Sequence, residues 1–259
     1  MSVSALILAG GRGTRFHPYT ELFPKPMIPV GEEEKPVLEY IVDWLVSHGI
    51  RDIVLLVGHR WRYIYNYFGD GSRFGAKIKY SLDEEEGYIN TGGAILKAVR
   101  KGLVAERFII WYGDILATVD LKDLLEYHAS KNSDITLVVT SRYKLPVGVA
   151  ELGNDMSIRN LVEKPEINIY ATVGIGVAER GVFEGDVESV LGKGFDFMGD
   201  FVPFLIKAGR RIHAYIYKDE WWDVGSLERY KKIDMKKISK IFNEKKACSG
   251  PEGPVARIA

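Results

Sequence analysis

The sequence predicts an α/β fold in which a mainly parallel sheet is covered by helices, and three observations carry that expectation. Apolar runs of strand length alternate with segments whose apolar residues recur at helical spacing. The runs at residues 3–8, 52–57 and 107–112 are nearly continuous in apolar residues, as strands buried on both faces require. Two of those runs empty into glycine turns, Gly10-Gly11-Arg12-Gly13 and Gly113-Asp114.

Each element follows from local pattern. Pro36 opens a helical segment carrying Val37, Leu38, Ile41, Leu45 and Val46, and Gly49 marks its stop. A strand at 52–57 precedes a short helix at 61–68, which Gly69-Asp70-Gly71 ends, and residues 78–82 read as a further strand. A helix starts near Thr91 and carries Ile95, Leu96 and Val99 before Gly102. After the strand at 107–112, residues 121–131 are helical and 134–140 form a β-branched strand. Residues 146–177 break into short strands and turns, an antiparallel excursion from the main sheet. Residues 201–207 read as helix, 212–217 as strand, and 227–242 as one amphipathic helix with Lys231, Lys232, Lys236, Lys237 and Lys240 on a solvated face.

Composition bounds the function. The 259 residues are 46% hydrophobic, enough for a substantial core, and 35 basic side chains balance 35 acidic ones. That balance argues against a nucleic-acid-binding surface. No stretch of eighteen apolar residues suggests a membrane span, and residues 1–8 are too short and uncharged for a secretory signal. The single cysteine, Cys248, excludes an intramolecular disulfide and a cysteine-rich metal site, so a cytoplasmic protein is expected.

Residues 3–30 carry the most chemistry. The strand ends at Leu8 and Ala9, and Gly10, Gly11, Gly13 and Thr14 follow with Arg12 and Arg15; Lys25 lies further on between two prolines. Glycines allow backbone to approach a ligand closely, and three cations add charge suited to phosphate oxygens. The loop is not a Walker A motif, which needs G-x-x-x-x-G-K-[ST]. Nor is it a dinucleotide fingerprint, because Phe16 holds the third glycine position. A glycine-rich turn with incidental basic residues is the plain alternative.

The composite G-G-x-G-T-R followed by P-K-P resembles the signature of the sugar-1-phosphate nucleotidyltransferases, or nucleotide-sugar pyrophosphorylases. The resemblance implies a Rossmann-like three-layer sandwich, the nucleotide-diphospho-sugar transferase fold, with a mixed sheet and a small antiparallel excursion that binds sugar. It places nucleotide on Leu8, Ala9, Gly10, Gly11, Gly13, Thr14, Arg15 and Gly92, the leaving phosphates near Arg15, and the reacting centre near Lys25. The segment Tyr112-Gly113-Asp114 resembles the family's metal-binding G-D element, and Trp222-Asp223-Val224-Gly225 resembles its W-x-D-[VI]-G element. Asp114 and Asp223, with phosphate oxygens and water, would complete the oxygen shell of Mg²⁺. Glu163-Lys164-Pro165 resembles the E-K-P element that holds sugar hydroxyls and sugar phosphate, with a surface ion pair as the alternative. Gly148 and Thr172 fall where relatives contact sugar, although relatives often carry asparagine at the position of Thr172. The Asp196-Phe197 and Asp200-Phe201 pair matches a further element that reads as structural.

The implied reaction joins an NTP and a sugar 1-phosphate to give an NDP-sugar and pyrophosphate. A sugar phosphate is already largely dianionic at neutral pH, so no general base is needed, and charge neutralisation becomes the catalytic task. Of the five histidines only His17 lies in the loop segment. The text leans toward mannose- or heptose-type guanylyltransferases, with glucose-1-phosphate enzymes using dTTP, UTP or CTP also fitting, and a hexose such as mannose or glucose is the expected sugar. Asn90 replaces a glycine of the usual L-G-T-[AG]-G text beside an acidic run at 83–86, which leaves the base open. A catalytically silent regulatory subunit or sugar-nucleotide sensor is the alternative. Residues 1–243 are expected to form the nucleotidyltransferase domain and 244–259 a mobile tail; a homo-oligomer is expected from the family's habits.

Overall fold

The computed structural model describes residues 2–82, 87–141, 143–145 and 147–249. Strand β1 (Val3–Ala9) leads into the glycine loop and three short 3₁₀ turns, at Thr14–Phe16, Tyr19–Glu21 and Lys25–Met27. A small ribbon of β2 (Pro29–Val30) and β3 (Lys35–Pro36) delivers the chain to α1 (Val37–Ser47), which stops at Gly49 with φ +80°. Next come β4 (Asp52–Val57), α2 (Trp61–Phe68), β5 (Lys77–Leu82) and α3 (Asn90–Arg100). They are followed by β6 (Arg107–Tyr112), β7 (Ile115–Ala117), α4 (Leu121–Ser130) and β8 (Ile135–Thr140).

The excursion holds β9 (Tyr143–Lys144) paired with β12 (Glu166–Ile167), and a hairpin of β10 (Val149–Leu152) and β11 (Ile158–Val162). It ends earlier than the sequence suggested. Strand β13 (Ala171–Glu179) belongs to the main sheet, where it runs antiparallel between β6 and β8. The remaining elements are α5 (Val187–Leu191), a π turn at Phe197–Phe201, α6 (Val202–Lys207), β14 (Ile212–Tyr217) and β15 (Trp221–Asp223). The single terminal helix expected at 227–242 is instead α7 (Leu227–Tyr230) and α8 (Met235–Ser249). Residues 244–249, expected in a mobile tail, are helical; the rest of that tail lies outside the described residues.

The seven-stranded sheet has the order β14-β8-β13-β6-β1-β4-β5. All neighbours are parallel except those of β13. Period-two alternation sorts its side chains into two cores. Ala5, Ile7, Leu55, Ile109 and Trp111 face α1, α2 and α8, whereas Leu6, Val54, Leu56, Phe108 and Ile110 face α3 and α6. Each fully buried aliphatic or aromatic side chain contributes about 1.5–3 kcal/mol, and this double burial is what makes β1 and β6 rigid platforms. The chain winds from β1 outward to β4 and β5, then returns to place β6 on the other side of β1. Loops leaving β1 and β6 therefore diverge at a topological switch point, where open α/β sheets bind ligands. Among the described residues no helix is long and apolar enough to cross a membrane.

Candidate active site

A cleft of about 610 Å³ opens at that switch point. Leu8, Ala9, Gly10 and Gly11 line one side, Arg12, Arg15, Lys25 and Pro26 a second, and Ile89, Asn90, Thr91 and Ala94 a third; Tyr112, Asp114 and Asp196 complete it. Of the residues the sequence assigned to nucleotide, Leu8, Ala9, Gly10, Gly11 and Arg15 are in this lining. Gly13 shapes the loop instead. Its φ of +63° is left-handed, and an added Cβ would stand 2.8 Å from Thr20 Cγ2 and 3.1 Å from Lys25 Cβ. Thr14 begins the 3₁₀ turn that this reversal permits. The loop is tied down by Thr20 Oγ1 donating to the Gly13 carbonyl at 3.1 Å and by His59 N–H donating to the Gly10 carbonyl at 3.2 Å.

Gly92 lies behind the cleft wall rather than in it. It is buried in α3, its N–H donates to the Phe195 carbonyl at 2.9 Å, and an added Cβ would fall 2.3 Å from the Phe195 ring. Its smallness lets the Phe195 segment cross the helix, which brings Asp196 to the cleft. Asp196 read as structural in the sequence, and its carboxylate does organise backbone: Oδ1 accepts from Gly199 N–H at 2.6 Å and Oδ2 from Thr91 Oγ1 at 2.7 Å. Yet it also lines the cavity beside Tyr112, whose phenol is pushed above its ordinary range by burial and then by the Asp196 charge. Thr91, Tyr112 and Asp196 were missed as site residues. The sequence signals for them were their motif neighbours, Asp114 beside Tyr112 and Gly92 beside Thr91, and the pair of carboxylates four residues apart around Phe197.

Lys25 and Asp114 meet across the cleft. The Lys25 ammonium donates to Asp114 Oδ2, with both side chains mostly buried at 15% and 17% exposure. Asp114 is fixed through its neighbour, because Gly113 N–H donates to the Leu8 carbonyl at 2.9 Å and lashes the end of β6 to β1. The second predicted carboxylate arrives from far along the chain. Strand β15 pairs antiparallel with β7, Asp223 opposite Ile115, and Val224 N–H donates to the Asp114 carbonyl at 2.8 Å. The backbones of the two aspartates are thus adjacent. Asp223 Oδ2 accepts from the Arg229 guanidinium on α7, whereas Oδ1 is buried and has no hydrogen-bond donor among the described residues. A buried acceptor without a donor is a group that a cation could satisfy. Among the described residues no group of three or more His, Cys, Asp or Glu could hold a metal. Two carboxylates that leave room for phosphate and water oxygens suit Mg²⁺, which keeps several non-protein ligands.

The sugar-side residues sit outside the cleft lining. Glu163 and Lys164 form an exposed ion pair at 3.2 Å, and an added Cβ on Gly148 would stand 3.0 Å from Glu163 Oε2. Lys164 lies within electrostatic reach of α7, where the Glu228 carboxyl is lowered first by its bond to Lys232 and also by the charge of Lys164. Thr172 is exposed in β13, just before a register shift; there Gly174 turns with φ +79° against Tyr112 and Ile115, which flank Asp114. His17 is exposed, bonded to Glu21 at 2.5 Å, and does not line the cleft.

Three cations and a glycine loop converge at the carboxyl ends of parallel strands, so the class is that of α/β proteins with a cationic cleft at the topological switch point. Within that class the chain belongs to the nucleotidyl transferase family, whose model matches residues 4–240. It is 34% identical to the D-glycero-alpha-D-manno-heptose 1-phosphate guanylyltransferase of Aneurinibacillus thermoaerophilus, covering 89% of this chain and 96% of that protein. It is 31% identical to the UTP–glucose-1-phosphate uridylyltransferase of Synechocystis sp., covering 88% of this chain and 61% of that protein. Against the bifunctional protein GlmU of Methanococcus maripaludis the chain spans about half of the relative's length, 51%. Among solved structures, HddC from Yersinia pseudotuberculosis superposes with a TM-score of 0.69 at 25% identity, over 93% of this chain and 100% of that one. The fold expectation therefore holds in its three layers and its mixed sheet.

Proposed function

We propose that the protein is a sugar-1-phosphate nucleotidyltransferase, moving a nucleotidyl group from an NTP to a sugar 1-phosphate with release of pyrophosphate. The observation that carries this reading is the Lys25–Asp114 pair, held where the glycine loop leaves β1. The NTP would lie with its phosphates along the Gly10–Gly11 backbone and Arg12 and Arg15, which stabilise the pyrophosphate as it leaves. Lys25 would face the α-phosphate and offset the charge that grows there as the sugar phosphate attacks. Asp114 and Asp223 would hold Mg²⁺, which when bound supplies charge neutralisation and a template for the phosphate oxygens. Lys164, on the same side as α7, would hold the sugar phosphate, with Glu163, Gly148 and Thr172 toward the sugar. Tyr112 stays neutral at ordinary pH and can offer a hydroxyl donor at the end of β6.

A hexose phosphate is the substrate class this reading favours, and the heptose guanylyltransferase similarity over nearly the whole of that relative supports a mannose-like sugar and guanine among the choices to test first. The measurement is pyrophosphate release on mixing each NTP with glucose, mannose and heptose 1-phosphates in the presence of Mg²⁺. Turnover with at least one pair is the expected result. Binding of nucleotide or NDP-sugar without release, for every pair, would instead make the chain a sensor.

A further inference from the structure

We propose that Arg229 is the resident counter-ion of Asp223, and that a divalent cation binds the aspartate pair by displacing its guanidinium. The inference rests on the reading of Asp114 and Asp223 as the magnesium ligands.

Charge counting motivates it. The two carboxylates are matched by two cations of the protein itself, Lys25 on Asp114 and Arg229 on Asp223. A dication that takes over both carboxylates would free both positive side chains. The site would pass from neutral to cationic just where two anionic substrates must approach each other. Metal binding and NTP binding are then coupled through the chain's own charges, because the released cations lack a partner until phosphate arrives.

The bonding of Asp223 separates a displaceable counter-ion from a permanent structural pair. Two structural carboxylates in this molecule have both oxygens matched: Asp196 accepts at Oδ1 and Oδ2, and Asp134 accepts from the Arg211 N–H and guanidinium. Asp223 has Oδ2 matched by Arg229 and a buried Oδ1 with no donor among the described residues. A guanidinium fork can saturate both oxygens of a carboxylate, so an arginine selected only to hold Asp223 would be expected to do so. Arg229 is also built to leave. Its backbone is anchored, with N–H donating to the Ser226 side chain at 3.3 Å, while its side chain is 43% exposed. It can swing into solvent without disturbing α7.

The test is Mn²⁺ binding to the full chain without nucleotide or sugar phosphate, read from the free-Mn²⁺ electron paramagnetic resonance signal. Arg229→Gln should bind Mn²⁺ about fivefold more tightly than the unaltered protein, the size of a partly exposed ion pair, and Arg229→Lys should fall between. Asp223→Asn should weaken binding about tenfold or more. If Asp223→Asn weakens binding but Arg229→Gln does not tighten it, Arg229 orients the ligand and the proposal fails while the metal reading stands. If Asp223→Asn binds as the unaltered protein does, both fail. A readout free of folding defects is the guanidinium resonance of Arg229 in ¹⁵N-arginine-labelled unaltered protein, assigned by its loss in Arg229→Lys. It should shift on addition of Mg²⁺ alone, and an unmoved signal at saturating metal overturns the displacement.

Discussion

Val224 donates its backbone N–H to the carbonyl of Asp114 at 2.8 Å, and this bond, with the three-pair ribbon of β7 and β15, joins two aspartates far apart in sequence. Neither aspartate owes its position to its own side chain. Asp114 is fixed by Gly113 against β1, and Asp223 is fixed by a strand that contributes nothing to the main sheet.

Lys25→Ala and Asp114→Asn should each lower kcat/KM by about 10²- to 10³-fold, the usual cost of losing one charge-stabilising group. Circular dichroism should show both variants folded, because the pair lies at a cleft and not in either core. Pyrophosphate release measures the rate; near-normal turnover in either variant would remove Lys25 and Asp114 from the chemistry.

Gly13→Ala tests the loop without touching charge. The left-handed φ alone costs about 1 kcal/mol, and the new methyl group must push Thr20 or the Lys25 stem aside. A fall in Tm should therefore accompany a rise in KM for NTP. A variant with reduced Tm and unchanged KM would mean that Gly13 serves only the turn.

Gly92→Ala makes the opposite prediction. The added carbon would lie 2.3 Å from the Phe195 ring, so overpacking should cost about 1–3 kcal/mol. Any change in nucleotide affinity would then arise through displacement of Asp196. Restoring room with Phe195→Leu in the same chain should recover part of the Tm. Failure of that rescue would argue that Gly92 acts on ligand directly, as the sequence pattern suggested.

Sequence pattern revealed the inner strands well because burial on both faces leaves little room for polar residues: 52–57 and 107–112 match the structure residue for residue, as does the half-exposed edge strand 212–217. It revealed β13 poorly. Its glycines and the register shift at Thr172 look like a turn-rich excursion, although Val173, Ile175 and Val177 are fully buried in the sheet. The two cleft residues Lys25 and Asp114 were legible from their motifs, but the β7–β15 ribbon that unites Asp114 with Asp223 was not. Three-residue strands carry too little periodicity to announce a partner about a hundred residues away. Asp196 was hidden for a different reason: a capping role and a ligand-facing role use the same carboxylate, and only packing shows which surface it borders.

Glu33 gives a pH-dependent stability that can be measured apart from catalysis. Its carboxylate accepts from the Ser239 hydroxyl, from Tyr40 at 2.9 Å and from Asn243 at 2.9 Å, docking α8 onto α1. Those bonds, the Ser239 bond foremost and against the pull of burial, lower its pKa from 4.5 to about 2. A depressed carboxyl stabilises the fold above its unfolded pKa, and the contribution drains away as pH falls from about 4.5 toward 2. Glu33 is largely exposed, so solvent screening limits the effect to about 1 kcal/mol at neutral pH. Glu33→Gln should lower Tm at pH 7 and converge with the unaltered protein near pH 2. A constant Tm difference across that range would show that charge on Glu33 is irrelevant to docking.

The clamp of α8 on the segment that follows Lys25 has a temporal consequence. Gly31 N–H meets Met235 Sδ at 3.4 Å, Glu32 N–H meets Ser239 Oγ at 2.8 Å, and the Tyr230 hydroxyl meets the Pro29 carbonyl at 2.9 Å. On a ribosome, every strand of the seven-stranded sheet is synthesised before Asp223, Arg229 or this clamp exists. A growing chain can therefore complete its scaffold while its candidate site still lacks one carboxylate and its latch. Asp223 would join only after the strands of that sheet, as α7 and α8 emerge and close over residues 29–32.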